Sequence, residues 1–340
     1  MKIKLAIIGM MMVAQVMAQG VLAQGVIDVH GHYITADYLA VLEKHNALLD
    51  EGYPLPEWSD MGHLMFMNAA GVGTSIVTMP APHPYFGDIE ETKDVIHKVN
   101  AEGARLKFQY PARFLFFAAL PLPDVQAAIE EAVYALDELG ANGVKLATNV
   151  AGQYLGDPAL DPLMEVLNER NAIIIIHPQK PVPYSDDLLK GVPLAMNEYL
   201  AESTRAVANM LTHNVLTRYP NLRVVIPHCG AYLPLAVPRM KSVYPAAQNA
   251  GLVEEIDWDG QLSHLYYDLA GAASPEVIKM MLTITDISHI FYGSDFPYAT
   301  TEVLKRNLGI LRMNLLNDEE LSPHVDDIFS RNFIKLLKNE

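Results

Sequence analysis

Four histidines and one aspartate follow short apolar runs in this chain. His30 and His32 come after Val26-Ile27-Asp28-Val29, and His177 after Ile173 to Ile176. His228 follows Arg223 to Ile226, and Asp295 follows Ile290 to Gly293. In extended backbone, residues i and i+2 point to the same side, so His30 and His32 can converge on one ion. His177 and Asp295 complete a set of three imidazoles and a carboxylate, which suits Zn²⁺, Mn²⁺ or Fe²⁺. A lone histidine at a strand end is ordinarily structural, but this many polar groups at strand ends predict one divalent ion, zinc first and manganese second. Lys145, in Gly143-Val144-Lys145-Leu146, would bridge a second metal only if carbamylated, and a packed or salt-bridged lysine is the plainer reading. Cys229 reads as a small buried residue beside His228. As the single cysteine it excludes a disulfide framework and any cysteine-rich metal site.

Something must hold these residues together. Eight short runs rich in Val, Ile, Phe and Tyr recur along the chain: Val26 to Val29, Thr74 to Thr78, Phe114 to Leu120, Gly143 to Leu146, Ile173 to Ile176, Arg223 to Ile226, Leu265 to Leu269, and Ile290 to Gly293. They are continuous rather than alternating, which suits parallel strands buried on both faces. Segments of helical periodicity separate them. In Asp124 to Leu139, Asp124 can cap the start, Val125, Ile129, Val133 and Leu136 share a face, and Gly140 ends the run. Asp161 to Arg170, Met196 to Thr212, Pro275 to Thr283 and Thr301 to Leu311 read the same way.

Eight β-then-α units without a composition break predict a single (β/α)₈ TIM barrel over residues 25–340. A doubly wound sheet would show a Gly-rich turn after its first strand, where this chain has His30-Gly31-His32. Active sites of such barrels lie at the C-terminal ends of the strands, where the histidines fall. Two long loops, Tyr33 to Asp60 after strand one and Pro178 to Pro193 after strand five, are expected near the mouth. Tyr53, Trp58, Tyr85, Phe86, Tyr184 and Tyr298 lie in loops facing it. The tail, Asp326 to Lys338, reads as an amphipathic helix packing outside the barrel.

Composition narrows the class further. The 340 residues carry 24 Lys and Arg against 40 Asp and Glu, a formal charge of −16. No basic stripe interrupts that balance, so nucleic acid is excluded as a partner. Lys2 and Lys4 followed by the apolar stretch Leu5 to Val16 read as a secretory signal. Val16-Met17-Ala18 and Val21-Leu22-Ala23 offer cleavage sites, so the mature chain starts near Gln19 or Gln24. About twelve apolar residues are too few to span ~30 Å of hydrocarbon. The expectation is an exported protein, periplasmic or secreted, with no membrane association once the signal is removed.

Asp28-Val29-His30-Gly31-His32, Ile176-His177-Pro178, Pro227-His228-Cys229-Gly230-Ala231 and Tyr292-Gly293-Ser294-Asp295-Phe296-Pro297-Tyr298 resemble the amidohydrolase superfamily. More narrowly, they resemble its metal-dependent decarboxylases, typified by aminocarboxymuconate-semialdehyde decarboxylase. Pro56-Glu57-Trp58-Ser59, His63-Leu64 and Pro227 to Gly230 resemble the 6-methylsalicylate type.

The resemblance implies His30, His32, His177 and Asp295 as metal ligands and His228 as a catalytic residue. It implies Arg239 as a contact to the substrate carboxylate, supplied across a homodimer. His63 stands where the semialdehyde enzyme has an arginine, which points to fewer carboxylates or a phenol. With Trp58 it is the expected substrate contact. The implied reaction is non-oxidative decarboxylation of a small aromatic or unsaturated carboxylate such as a hydroxybenzoate. Hydrolysis of a lactone, amide or ester on the same site is the alternative, and an exported metal-containing binding protein the remote one.

Overall fold

The computed structural model describes residue 22, residues 24–185 and residues 187–340. The expected leader over residues 1–24 lies outside the described residues except for Leu22 and Gln24.

Eight parallel strands occupy the predicted runs. They are β1 (Val26–His32), β2 (Val72–Thr78), β3 (Phe114–Phe116, resumed at Ala118–Ala119), β4 (Val144–Ala147), β5 (Ile173–His177), β6 (Arg223–Ile226), β7 (Leu265–Asp268) and β8 (Ile290–Phe291). Each pairs with its neighbour in chain order. The third run does not stay one strand. It breaks at Phe117, whose N–H donates to Val77 O at 3.1 Å, while Ala118 N–H turns to Gly143 O at 3.0 Å. Its two halves thus serve β2 and β4 in turn. The ring closes where Val29 N–H donates to Tyr292 O at 2.9 Å and His32 N–H to Phe296 O at 2.8 Å.

Ile27, Val29, Ile76, Leu115, Phe117, Ile173, Ile175, Val225 and Phe291 fill the barrel in one apolar cluster. The opposite faces of the same strands join a larger cluster beneath the helices, with Val144, Leu146, Ile174, Ile176, Val224 and Ile226 among its members. Both faces are therefore dry, which is why the strands read as continuous apolar runs.

The helices that cover the ring include α1 (Ala36–Lys44), α2 (Asp60–Ala70), α3 (Ile89–Gln109), α4 (Val125–Asp137), α5 (Asp161–Glu169), α6 (Glu198–Thr212), α7 (Leu233–Asn249), α8 (Pro275–Met281), α9 (Thr301–Leu316) and α10 (Asn332–Lys338). The first long loop is thus only partly a loop, because α1 occupies its beginning, capped by Thr35. In α4 the Asp124 side chain caps as expected, but the face nearest the sheet is Ala127, Ala128, Ala132 and Ala135. Val125, Ile129 and Leu136 pack beside it, half-buried. Small residues let the helix axis approach the strands, and the larger ones wedge in at the flanks.

The tail corrects its expectation as well. A π-helical turn over Asp327–Arg331 leads into α10. Phe333 and Leu336 of that helix join the barrel's interior cluster, so α10 plugs the ring from below instead of lying outside it.

Candidate active site

A local irregularity aims the first two histidines. Asp28 pairs with Ser75 and Gly31 with Val77, so three steps along β1 match two along β2. One extra residue reverses which side chains face in. Ile27 and Val29 face the interior below this bulge, and His30 and His32 do so above it, where their rings lie 5.6 and 4.9 Å from that of His177. His177 continues the inward face of Ile173 and Ile175 at period two.

His228 reaches the site by another route. His228, Cys229, Gly230 and Ala231 all have positive φ, between 54° and 73°, a full left-handed turn just past β6. Such backbone costs roughly 1–2 kcal/mol per non-glycine residue, so it must be held from outside. His228 N–H donates to Asp268 Oδ1 at 3.1 Å and Cys229 N–H to the Asp268 carbonyl at 2.8 Å. At Gly230 a Cβ would sit 3.0 Å from the Tyr267 ring, so glycine suits both the conformation and the space. Asp295 is also left-handed, at φ 61°, with its N–H on His30 O at 2.8 Å.

The five expected residues form two overlapping groups that share His30. Ligand atoms of His30, His32 and His177 lie within 4.8 Å of one another, and the same holds for His30, His228 and Asp295. Asp295 Oδ1 stands 3.2 Å from His32 Nε2 and 3.5 Å from His30 Nε2. His228 Nε2 lies 4.0 Å from Asp295 Oδ2.

The outer nitrogens of the three strand histidines are engaged elsewhere. His30 Nδ1 meets Asp268 Oδ2 at 2.7 Å, His32 Nδ1 meets Thr78 Oγ1 at 3.1 Å, and His177 Nδ1 meets the Pro178 carbonyl at 2.8 Å. With an ion bound, a proton on each Nδ1 alone would leave each Nε2 lone pair facing the cluster, the arrangement that metal-ligating histidines need. His30 Nε2 is buried without a hydrogen-bond partner. A divalent ion fits this donor set, with His30, His32, His177 and Asp295 to hold it.

Charge around the cluster agrees. Burial disfavours the imidazolium of His30, but the charge and hydrogen bond of Asp268 outweigh it and carry the group up to about 9. Burial and the neighbouring histidines push His177 well down, and burial then His30 bring His228 to about 4. Burial works against the Asp295 carboxylate, yet the hydrogen bond from His32 and the charges of His30 and His32 hold it below the ordinary range. Two ionised aspartates around one histidine proton make a place for a cation.

The cluster opens into a cavity of about 310 Å³, lined by His177, His228, Asp295, Tyr298, Tyr199, Tyr53, Glu51 and apolar residues including Leu48, Leu55, Pro82 and Met196. Of the loop aromatics expected at the mouth, Tyr53 and Tyr298 line it. Phe86 stacks on His45 instead, with ring centroids 4.5 Å apart. Glu51 and Tyr199 escaped sequence reasoning. Neither belongs to a motif, and only the packing of a loop against the start of α6 puts them here.

His63 and Trp58, the expected substrate contacts, are not among the residues that line this cavity. His63 is fully buried, and both its ring nitrogens are taken: Trp58 Nε1–H donates to Nδ1 at 3.1 Å, and Nε2 lies 3.0 Å from Ser75 Oγ. Accepting at Nδ1 fixes the proton on Nε2, so Ser75 Oγ–H is turned to Asp28 Oδ2 at 3.4 Å. Asp28 also accepts from His30 N–H at 3.2 Å, from Ser294 N–H at 2.8 Å and from Ser294 Oγ–H at 2.6 Å. This buried chain ties Trp58 to the backbone on either side of the cluster. His63 and Ser75, both fully buried, act here by positioning the site.

Two further residues complete the account. Lys145 points into the barrel and is 2% exposed; burial brings its amine down to about 8, and it makes no hydrogen bond with any described residue. Of the two plainer readings, packed or salt-bridged, the packed one holds. Arg239 lies exposed on α7, a helix that runs through Pro238 and Pro245, and it has no ion pair within the described chain.

Comparison with known proteins agrees with this architecture. The model of the amidohydrolase family matches residues 27–332. The decarboxylase yanB of Aspergillus niger is 30% identical over 308 residues, covering 87% of this chain and 83% of the relative. The 6-methylsalicylic acid decarboxylase acuB of Aspergillus aculeatus is 30% identical over 289 residues, 82% of this chain and 86% of the relative. A crystal structure described as amidohydrolase II superposes with a TM-score of 0.84 at 32% identity, covering 92% and 99% of the two chains. The manganese-bound 5-carboxyvanillate decarboxylase of Novosphingobium aromaticivorans shares the fold, with a TM-score of 0.80 at 19% identity over 94% and 97%. With the family model spanning the ring from β1 to the start of its basal plug, the chain belongs to the amidohydrolase family.

Proposed function

We propose that this enzyme is a carboxy-lyase that removes carbon dioxide, without oxidation, from a small hydroxybenzoate-like acid at the cavity above His30, His32, His177 and Asp295. The observation that carries the reading is the cluster of ligand atoms at the floor of a cavity walled by tyrosines, apolar residues and Glu51. Decarboxylase relatives at 30% identity favour this chemistry over hydrolysis. A bound divalent ion, zinc or the manganese seen in a structural neighbour, supplies a positive centre for the substrate's oxygens and the developing charge.

The chain's own groups then have distinct tasks. Tyr53, Tyr199 and Tyr298 wall the ring in and keep bulk water out of the cavity. Asp295, ionised at rest and 30% accessible at its side chain, first takes up a solvent proton relayed through His228 and then passes it to the ring carbon that bears the carboxylate. The carbon–carboxylate bond then breaks, its electron pair restores the aromatic ring, and carbon dioxide leaves. His228, 4.0 Å from Asp295, returns a proton to that carboxylate from solvent. Asp295→Asn should abolish turnover. The deciding experiment is a panel of hydroxybenzoates and muconate-like acids, with carbon dioxide release read separately from hydrolysis. Hydrolysis of esters or lactones without carbon dioxide release from any acid would sink the reading.

The assembly we propose is a homodimer in which Arg239 of each protomer reaches the substrate carboxylate in its partner's cavity. What supports it is an exposed guanidinium with no counter-ion in its own described chain. Arg239→Ala should stay folded and keep its metal yet lose activity. Mixed with Asp295→Asn, it should regain activity through heterodimers with one intact site. Full activity of Arg239→Ala alone, or no recovery although subunits exchange, refutes the shared site. Export through the leader at residues 1–24 completes the proposal.

A further inference from the structure

One wall of the cavity carries a carboxyl group that the reaction above does not use. Glu51 comes from the loop between α1 and α2, is 7% exposed, and lines the cavity beside Tyr199, His177 and Tyr298. It is built in rather than left over. Its Oε1 accepts from Lys180 N–H at 3.3 Å, its Oε2 from Tyr199 Oη–H at 3.0 Å, and its own carbonyl from Leu194 N–H at 3.2 Å. The Tyr199 ring that holds it lies 5.9 Å from His177 and 6.4 Å, stacked, from His228. Glu51 is therefore one side chain away from the reacting groups.

Among the described residues each Glu51 oxygen has one donor, which leaves it a second lone pair. No arginine or lysine is among the residues lining the cavity. The nearby Lys180 ammonium sits over the Tyr184 ring at 5.5 Å. Burial raises the Glu51 carboxyl to about 7, the donors from Lys180 and Tyr199 partly offsetting it. A ligand that offers a hydroxyl here completes a buried hydrogen bond, whereas a ligand that offers a carboxylate meets another acid on a wall with no basic residue in its lining.

We propose that Glu51 sets substrate specificity: it accepts a hydrogen bond from a ring hydroxyl remote from the reacting carboxylate and rejects aromatic acids that carry a second carboxylate there. The inference rests on the aromatic-acid reading above and narrows it to monocarboxylates. Its test is made by binding, so that it does not depend on turnover.

Calorimetric titration of the metal-loaded protein at pH 8 would compare benzoate, 3-hydroxybenzoate and benzene-1,3-dicarboxylate. Wild type should bind the hydroxy acid about tenfold tighter than benzoate and the diacid more weakly than benzoate. Glu51→Gln keeps the shape and the bond from Lys180 N–H to its carbonyl, and reverses the other, its amide NH₂ donating to Tyr199 Oη. It should tighten the diacid about tenfold and leave benzoate unchanged.

Wild type binding the diacid as tightly as the hydroxy acid overturns the proposal. So does an unchanged order of the three ligands in Glu51→Gln. Should that variant fail to fold, the wild-type order still decides. Tyr199→Phe, which removes one donor to Glu51, should weaken the preference for the hydroxy acid. Binding of none of the three ligands overturns both this proposal and the aromatic-acid reading. Selective binding without carbon dioxide release from any acid overturns the decarboxylase reading alone.

Discussion

Replacing Asp268 by asparagine would test the cluster through a residue that touches neither ion nor substrate. Asp268 is fully buried and divides its two oxygens. Oδ2 takes the His30 Nδ1 proton at 2.7 Å, while Oδ1 accepts from His228 N–H at 3.1 Å and Ala270 N–H at 3.0 Å. In Asp268→Asn the amide cannot choose its orientation freely. Placing its NH₂ at Oδ1 would oppose two backbone donors and leave three buried groups unpaired, at roughly 1–3 kcal/mol each. The amide nitrogen must therefore face His30 and donate to Nδ1. That forces the His30 proton onto Nε2, the nitrogen that faces the cluster, and removes the lone pair a metal needs.

Loss of an outer partner of a metal-ligating histidine ordinarily costs 10–100-fold in affinity, about 1.4–2.7 kcal/mol. A wrong tautomer belongs at the upper end, so about 100-fold is expected. Asp268→Ala behaves differently. It strands the His228 and Ala270 N–H groups, so stability falls by a few kcal/mol. His30 is then free to put its proton back on Nδ1, so the affinity loss should be nearer tenfold. Competition against a chromophoric chelator gives the metal affinity, and urea unfolding of the ion-free protein gives the stability. Asparagine should be worse for metal and milder for stability than alanine. An affinity within threefold of wild type for Asp268→Asn would falsify the assignment of His30 as a ligand through Nε2.

Metal uptake by ion-free protein at pH 7.5 should release about one proton per ion, since His30 sits at about 9 without metal and must give its proton up. Calorimetry in buffers of different ionisation enthalpy counts it; release of none contradicts His30 as a ligand, and two ions per chain would bring Lys145 into the site. Lys145 drops from an ordinary 10.5 to about 8 on burial, so the folded chain binds fewer protons than the unfolded chain between those values. Stability should therefore rise with pH across that window by up to about 3 kcal/mol. Lys145→Met should be the more stable protein at pH 7.5 and lose that advantage by pH 10; unfolding curves that stay parallel contradict a buried, unpaired ammonium. N-terminal sequencing of protein from its native host should begin near Gln19 or Gln24, and an intact Met1 in the cytoplasm refutes export.

Much of this molecule is legible in one dimension. The eight apolar runs appear as strands within a few residues of where they read, because strands dry on both faces leave an unbroken apolar signature. The polar residue that ends such a run must emerge at the barrel mouth, so His30, His32, His177, His228 and Asp295 were all readable as one site. Fold class, the residues that come together at the mouth and the acidic, single-cysteine character needed no coordinates.

Other features belong to the tertiary structure alone. The bulge at Asp28 to Gly31 exists because β1 must match β2, and nothing in Asp-Val-His-Gly-His announces an extra residue. The left-handed turn from His228 to Ala231 is held by Asp268, forty residues further along the chain. Only the folded chain shows that Trp58 and Ser75 occupy both ring nitrogens of His63. Glu51 gives no signal of its own, because its burial and its place at the cavity come from Tyr199 and Lys180. Periodicity reports which side of an element is dry, a property each segment carries by itself. Hydrogen-bond partners far apart in the chain, and the burial that sets a group's charge, arise only when the ring closes.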